Sequence, residues 1–280
     1  MTGAPEDRHF VAFDKTPLHY ILHEPSGPPA ATLLVIHGAG EHAARYNAFA
    51  SYLAARQIRS ALLDLRGYGQ SGGPRAFARS FDDYREDVLA LARKLKADGK
   101  GPLFVLAHSM GALVAAHAFS RNPEDAPRGL ILSSPCFGLA FKIPAYLEWI
   151  ARISSVLQPR LLHPTRVWPE ILMHDEALIQ EYRQDTLLVH RMSSRLFVIM
   201  SEAMKRSKDT AGGLPFPVLI VQAGADQVVD PAASRAFFEA LPGPDKTFKI
   251  YPGLYHEVLN EPSREAIYNE ILTWIQKRCK

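Results

Sequence analysis

The sequence predicts an α/β protein: a mostly parallel sheet with helices on both faces. Three observations carry that prediction. Short apolar runs recur along the 280 residues, amphipathic helical stretches separate the later runs, and two runs end in small-residue turns that carry a histidine or a serine. Strand-like segments fall near 10–13, 18–23, 32–37, 60–65, 103–107, 129–133, 217–223 and 247–251. The clearest helix is 81–97, with Tyr84, Val88, Leu91 and Leu95 on one face and charges opposite. After 129–133 more than seventy residues pass without a clear buried strand. In that stretch Ile143, Leu147, Ile150, Ile153 and Leu157 stand at helical spacing, and Leu196, Ile199, Met200 and Met204 suggest another helix. Their apolar faces either pack onto the core or stay open to an acyl chain or a lipid surface.

Composition bounds the function. Hydrophobic residues make up 47% and charged residues 22%, a globular mixture, and a net charge of +3 is too small to imply nucleic acid. Residues 1–9 are polar and carry no apolar signal-peptide core, and no run approaches the ~18–20 apolar residues of a spanning helix. Cys136 and Cys279 are isolated, which suggests a reducing, cytoplasmic setting without a disulfide framework. His163, His174 and His190 are scattered, so no metal is expected. Lys205 to Lys208 reads as a solvated helix end.

The run 103–107 turns abruptly into a helix at His108-Ser109-Met110-Gly111-Ala112. A serine on such a turn has a strained backbone that lifts its hydroxyl above the sheet, and the residues two places either side must be small. Ala107 and Gly111 meet that need; the alternative is a serine capping an ordinary helix. Upstream, 32–36 runs into His37-Gly38-Ala39-Gly40, where a backbone N–H can approach a reacting carbonyl. The oxyanion hole is therefore assigned to the N–H groups of Ala39 and Met110, with His37 holding the loop. Asp226 and Asp230 both follow strand 217–223 and compete to orient an imidazole. Asp230 precedes Pro231 and reads as a helix N-cap, so Asp226 is preferred. His256 sits on the loop after 247–251. The order Ser109, Asp226, His256 is that of an α/β-hydrolase, with His256 as base, Asp226 as its orienter and Ser109 as nucleophile.

Gly67-Tyr68-Gly69-Gln70-Ser71-Gly72 matches a dinucleotide fingerprint, but Gly73-Pro74 follows where that motif needs a helix. No cofactor is expected. Glu41 and Arg45, four apart near the oxyanion loop, are either a surface ion pair or a headgroup contact. Phe137, Leu139, Phe141, Ile143 and Leu147 are candidates for an acyl pocket, the first three being equally suited to the core.

At His37 to His42, Asp64 to Ser71, Ala107 to Gly111 and the late Asp226 and His256, the chain resembles monoacylglycerol lipases and related lysophospholipases of the α/β-hydrolase superfamily. The resemblance implies an eight-stranded sheet, a helical cap between the sixth and seventh strands, no cofactor, frequent peripheral membrane association and the triad above. The core would then be 1–136 and 213–280, and the cap 137–212. Two departures stand out: Ala107 and Ala112 replace glycines usual around the elbow, and Leu259 stands where animal relatives carry a histidine that helps hold glycerol. The expected activity is hydrolysis of single-chain acyl esters, monoacylglycerol ahead of lysophospholipid. A general carboxylesterase is the nearest rival, a peptidase a further one, and a non-catalytic ligand-binding homologue the most remote.

Overall fold

A computed structural model describes residues 4–165 and 167–279. Met1 to Gly3, the first part of the polar opening stretch, lie outside it. The strands are β1 (Glu6–Val11), β2 (Pro17–His23), β3 (Ala31–Ile36), β4 (Ile58–Leu63), β5 (Leu103–His108), β6 (Gly129–Ser133), β7 (Leu162–Pro164), β8 (Arg191–Ser193), β9 (Val218–Ala223) and β10 (Lys246–Tyr251). The helices are α1 (Asn47–Ala54), α2 (Phe81–Ala97), α3 (Met110–Arg121), α4 (Ala145–Leu157), α5 (Glu176–Gln184), α6 (Ser194–Lys205), α7 (Ser207–Ala211), α8 (Pro231–Ala240) and α9 (Arg264–Gln276).

Eight strands form one sheet in the order β1-β2-β4-β3-β5-β6-β9-β10. β2 pairs antiparallel with β1 and with β4, and every other pair is parallel. Alternation along each strand divides the core in two. In β5, Leu103, Val105 and Ala107 face the layer of α2, α3, α6 and α8, while Phe104 and Leu106 face α1 and α9. Both faces are covered, so the central strands are apolar at nearly every position.

The eight expected strands are the eight of this sheet, with two displaced. β1 covers Glu6–Val11 instead of 10–13, because this edge strand is mostly exposed and polar, and the apolar cluster around Phe10 pulled the expected span towards its turn. β4 starts at Ile58 and ends before Asp64. Between β6 and β9 the chain carries α4 to α7 and a two-stranded sheet of β7 and β8. Three-residue strands were too short to leave a pattern in the sequence.

Candidate active site

The residue at the end of β5, Ser109, is strained. It leaves β5 at φ 50°, ψ −117°, a left-handed conformation rare for a residue with a side chain, and α3 starts at the next residue. The surrounding requirement for small residues is visible atom by atom. A Cβ on Gly111 would lie 2.4 Å from the His37 carbonyl oxygen and 2.6 Å from that of Ile36, so α3 rests directly on the end of β3. The Cβ of Ala107 fits in the core, which explains why only the second small position is glycine.

The loop after β3 is pinned by His37. Its Nε2 accepts from the Leu65 N–H (3.0 Å) and its Nδ1 donates to the Gly38 carbonyl (2.7 Å), while burial holds its pKa down. A side chain on Gly38 would crowd the site: a Cβ would lie 2.5 Å from Glu41 Oε1, displacing that carboxylate, and 3.1 Å from the Ser109 Cβ. Ala39 follows, and among the described residues neither its N–H nor that of Met110 is engaged in a hydrogen bond.

His256 is buried and donates from Nδ1 to Asp226 Oδ2 at 2.8 Å. The other Asp226 oxygen accepts from the Val228 and Val229 N–H groups at 2.9 and 3.0 Å. Burial disfavours the Asp226 carboxylate, but His256 and these two N–H groups outweigh it and hold its pKa below the usual range. Burial likewise disfavours the His256 cation, yet Asp226, Glu257 and Glu41 together raise its pKa above the ordinary imidazole value. Asp230 caps α8, accepting from the Ala232 N–H at 2.9 Å. Ser109 and His256 meet on the wall of one cavity, with no hydrogen bond between them. His108 packs its ring 4.6 Å from that of His256, and burial with the neighbouring imidazole drives its pKa to about 3. It stays neutral at any working pH.

The cavity holds about 420 Å³, and its wall is mostly apolar. Leu139, Phe141, Ile143 and Leu147, four of the five candidates for an acyl pocket, line it. Phe137 does not: it is a core residue stacked on Phe237 at 3.9 Å, because the chain turns inward between Cys136 and Gly138 to meet α8. Ile150, Phe197, Met200 and Met204 add to the apolar wall. Glu41 reaches the cavity and Arg45 does not. The expected surface ion pair is instead a buried cluster. Arg45 lies 3.5 Å from Glu41 and 2.5 Å from Glu257, with each of the three side chains less than a tenth exposed. Glu257 was missed because its partner lies 212 residues away in the chain. Leu259 is buried behind the site beside Tyr46 and Asn260, outside the main cavity. The glycine-rich stretch 67–72 wraps the Asp64 carboxylate, which accepts from the Ala43 and Gln70 N–H groups, and the next helix is α2, starting at Phe81. It is a structural turn.

A family model described as serine aminopeptidase, S33, matches residues 27–263. The chain belongs to that family. This α/β-hydrolase is 31% identical to the phospholipase YtpA of Bacillus subtilis over 86% of this chain and 93% of that one. It is 30% identical to the monoglyceride lipase of Rattus norvegicus, over 96% and 90%. A crystal structure of Paleococcus ferrophilus monoacylglycerol lipase superposes with a TM-score of 0.85 at 25% identity, covering 93% of this chain and 99% of that one. A Dictyostelium discoideum abhydrolase domain-containing protein is 31% identical over 97% of this chain, which spans 29% of its length. The α/β-hydrolase is thus a serine hydrolase of the monoglyceride-lipase type, a carboxylic ester hydrolase. No helix among its described residues is long and apolar enough to cross a membrane.

Proposed function

We propose that this α/β-hydrolase cleaves the ester of single-chain lipids, monoacylglycerol foremost, through an acyl-enzyme on Ser109. The observation that carries the reading is the apolar cavity with Ser109 and His256 on its wall, of a size that takes a small amphiphile. In this reading neutral His256 takes the Ser109 proton as the hydroxyl attacks the ester carbonyl, and Asp226 holds the imidazole's tautomer and balances its charge. The N–H groups of Ala39 and Met110 receive the oxyanion. His256 then protonates the departing alcohol, and a water it activates releases the fatty acid.

Residues 137–212 act as a cap over a core of 1–136 and 213–280. Leu147, Ile150 and Ala151 of α4 turn towards the cavity, while Tyr146, Trp149, Ile153 and Val156 form a second apolar stripe open to solvent, with Trp149 68% and Val156 78% exposed. Such a stripe supports peripheral contact with a membrane surface, from which a poorly soluble substrate would be drawn. The free cysteines support a cytoplasmic setting.

One observation favours a second reading, lysophospholipid. Arg191 stands on the cavity wall, where it could meet a phosphate, whereas Arg45 is held by Glu41 and Glu257. The same pairing argues against a peptide substrate, since both wall carboxylates that could bind a free amine are already engaged by Arg45. The test compares fatty-acid release from a long-chain monoacylglycerol, the matched lysophospholipid and a short ester, with Ser109→Ala as blank. Ser109-dependent release from monoacylglycerol is expected to be fastest. Preference for the lysophospholipid would establish the second reading, and cleavage of the short ester alone would end both.

A further inference from the structure

We propose that residues 169–190, the middle of the insertion, are a fixed brace that positions the oxyanion loop and the His256 loop, with Asp185 and His174 as its pins. The inference rests on the Ser109 hydrolase reading. The two loops grow from β3 and β10, which have β5, β6 and β9 between them, so the sheet fixes the loop roots and leaves their tips to be held by something else.

The segment has a core of its own: Leu172, Met173, Ile179, Tyr182 and Leu188, with Val228 from the Asp226 turn packed against it. From this unit two contacts reach the oxyanion loop. The Val189 N–H donates to the Gly40 carbonyl at 2.9 Å, and His42 Nε2 donates to Asp185 Oδ2 at 2.6 Å. The second oxygen of Asp185 accepts from the Leu187 N–H at 2.9 Å, which holds the carboxylate in place. Other contacts reach the His256 loop. The Glu257 N–H donates to the Leu172 carbonyl at 2.8 Å, fixing the residue next to His256. Buried Glu261 accepts from the backbone N–H of His174 (3.0 Å) and from that of Tyr255 (2.7 Å), so one carboxylate joins the segment to the loop. The His174 ring donates to it as well and stacks on Tyr255 at 3.8 Å. The oxyanion loop, the Asp226 turn and the His256 loop therefore all touch this one segment, while the Ser109 elbow is set by β5 and α3. The apolar helix α4, in contrast, makes its main helix contact with α6.

Two positioning residues can be removed without touching the cavity chemistry. On a short soluble ester, which does not need the acyl pocket, Asp185→Ala and His174→Ala should each lower kcat about 10- to 100-fold, with KM little changed, as expected of misplaced donor and base. Asp185→Asn keeps an acceptor for His42 and should recover most of the loss. Arg183→Ala, which breaks an ion pair with Glu170 on the exposed side of the same segment, should match wild type. Reaction of Ser109 with a fluorophosphonate probe should slow in step with kcat. Wild-type kcat and labelling rate in both Asp185→Ala and His174→Ala would overturn the brace. If Asp185→Ala does not fold, His174→Ala decides alone, since that side chain is 43% exposed and its loss is tolerable to the fold. Failure of the underlying reading looks different: Ser109→Ala would then keep turnover and wild type would not be labelled.

Discussion

Arg45 neutralises two carboxylates at the back of the site, and neither would be tolerable there alone. Burying an ion costs several kcal/mol unless it is paired, and removing one partner of a buried pair is more damaging than never having had it. Glu257→Gln is therefore expected to cost up to about 3–5 kcal/mol of stability, less whatever Glu41 retains, seen as a lowered denaturation midpoint. The same substitution acts on the base. In the proposed mechanism His256 must be neutral to accept a proton, and its pKa is raised, so kcat/KM should climb with pH through a value above the ordinary imidazole one. Removing the Glu257 charge while leaving Arg45 positive disfavours the imidazolium. The acid limb of the pH profile should then move to lower pH; a limb that stays in place would remove Glu257 from the electrostatics of the base.

At the scale of elements, the contact of α3 with β3 decides where the elbow sits. Gly111→Ala would favour the helix by intrinsic propensity, yet its Cβ would press on two carbonyl oxygens of the β3 end that cannot rotate away. We expect a net loss of about 1–3 kcal/mol and a fall in kcat, because the displaced carbonyls flank the oxyanion loop. A thermal melt and a turnover assay check both. This element was legible in the sequence because it is local: five apolar residues, a turn and a helix lie in one short stretch. The central strands and α2 were legible for the same reason, since burial on both faces writes an apolar run and burial on one face a periodicity that one segment carries by itself, whereas the exposed edge strand β1 wrote little and was misplaced. What was not legible is pairing at a distance. Nothing near Arg45 announces Glu257, and nothing near Asp185 announces His42. Phe137 shows the same limit from the other side: its apolar character fits a pocket or a core equally, and only the position of Phe237 across the layer places it. Asp226 could be preferred to Asp230 because the rival had a local role that the sequence spells out, proline at the first helical position.

For the whole molecule, the surface is uneven. The open stripe of α4 runs on to Leu157, 75% exposed, and the same insertion also exposes Trp168, 63%, together with Lys142 and Arg152. Co-sedimentation with anionic vesicles should fall severalfold in a Trp149→Ser, Val156→Ser double variant, with hydrolysis of a short soluble ester unchanged. Equal binding by the variant would remove α4 from membrane contact. The insertion that carries this stripe interrupts two strands, β6 and β9, that are neighbours in the sheet. Lengthening a connection is thermodynamically mild: going from a dozen residues to some eighty adds only about 2 kcal/mol of closure entropy. The core can thus exchange or remodel this segment at little cost to its own folding. In the proposed brace the oxyanion and His256 loops cannot, because their tips lean on it. Selection on this chain for a new substrate would therefore have freedom in α4 and little in the residues around α5, so substitutions should accumulate unevenly along a single insertion.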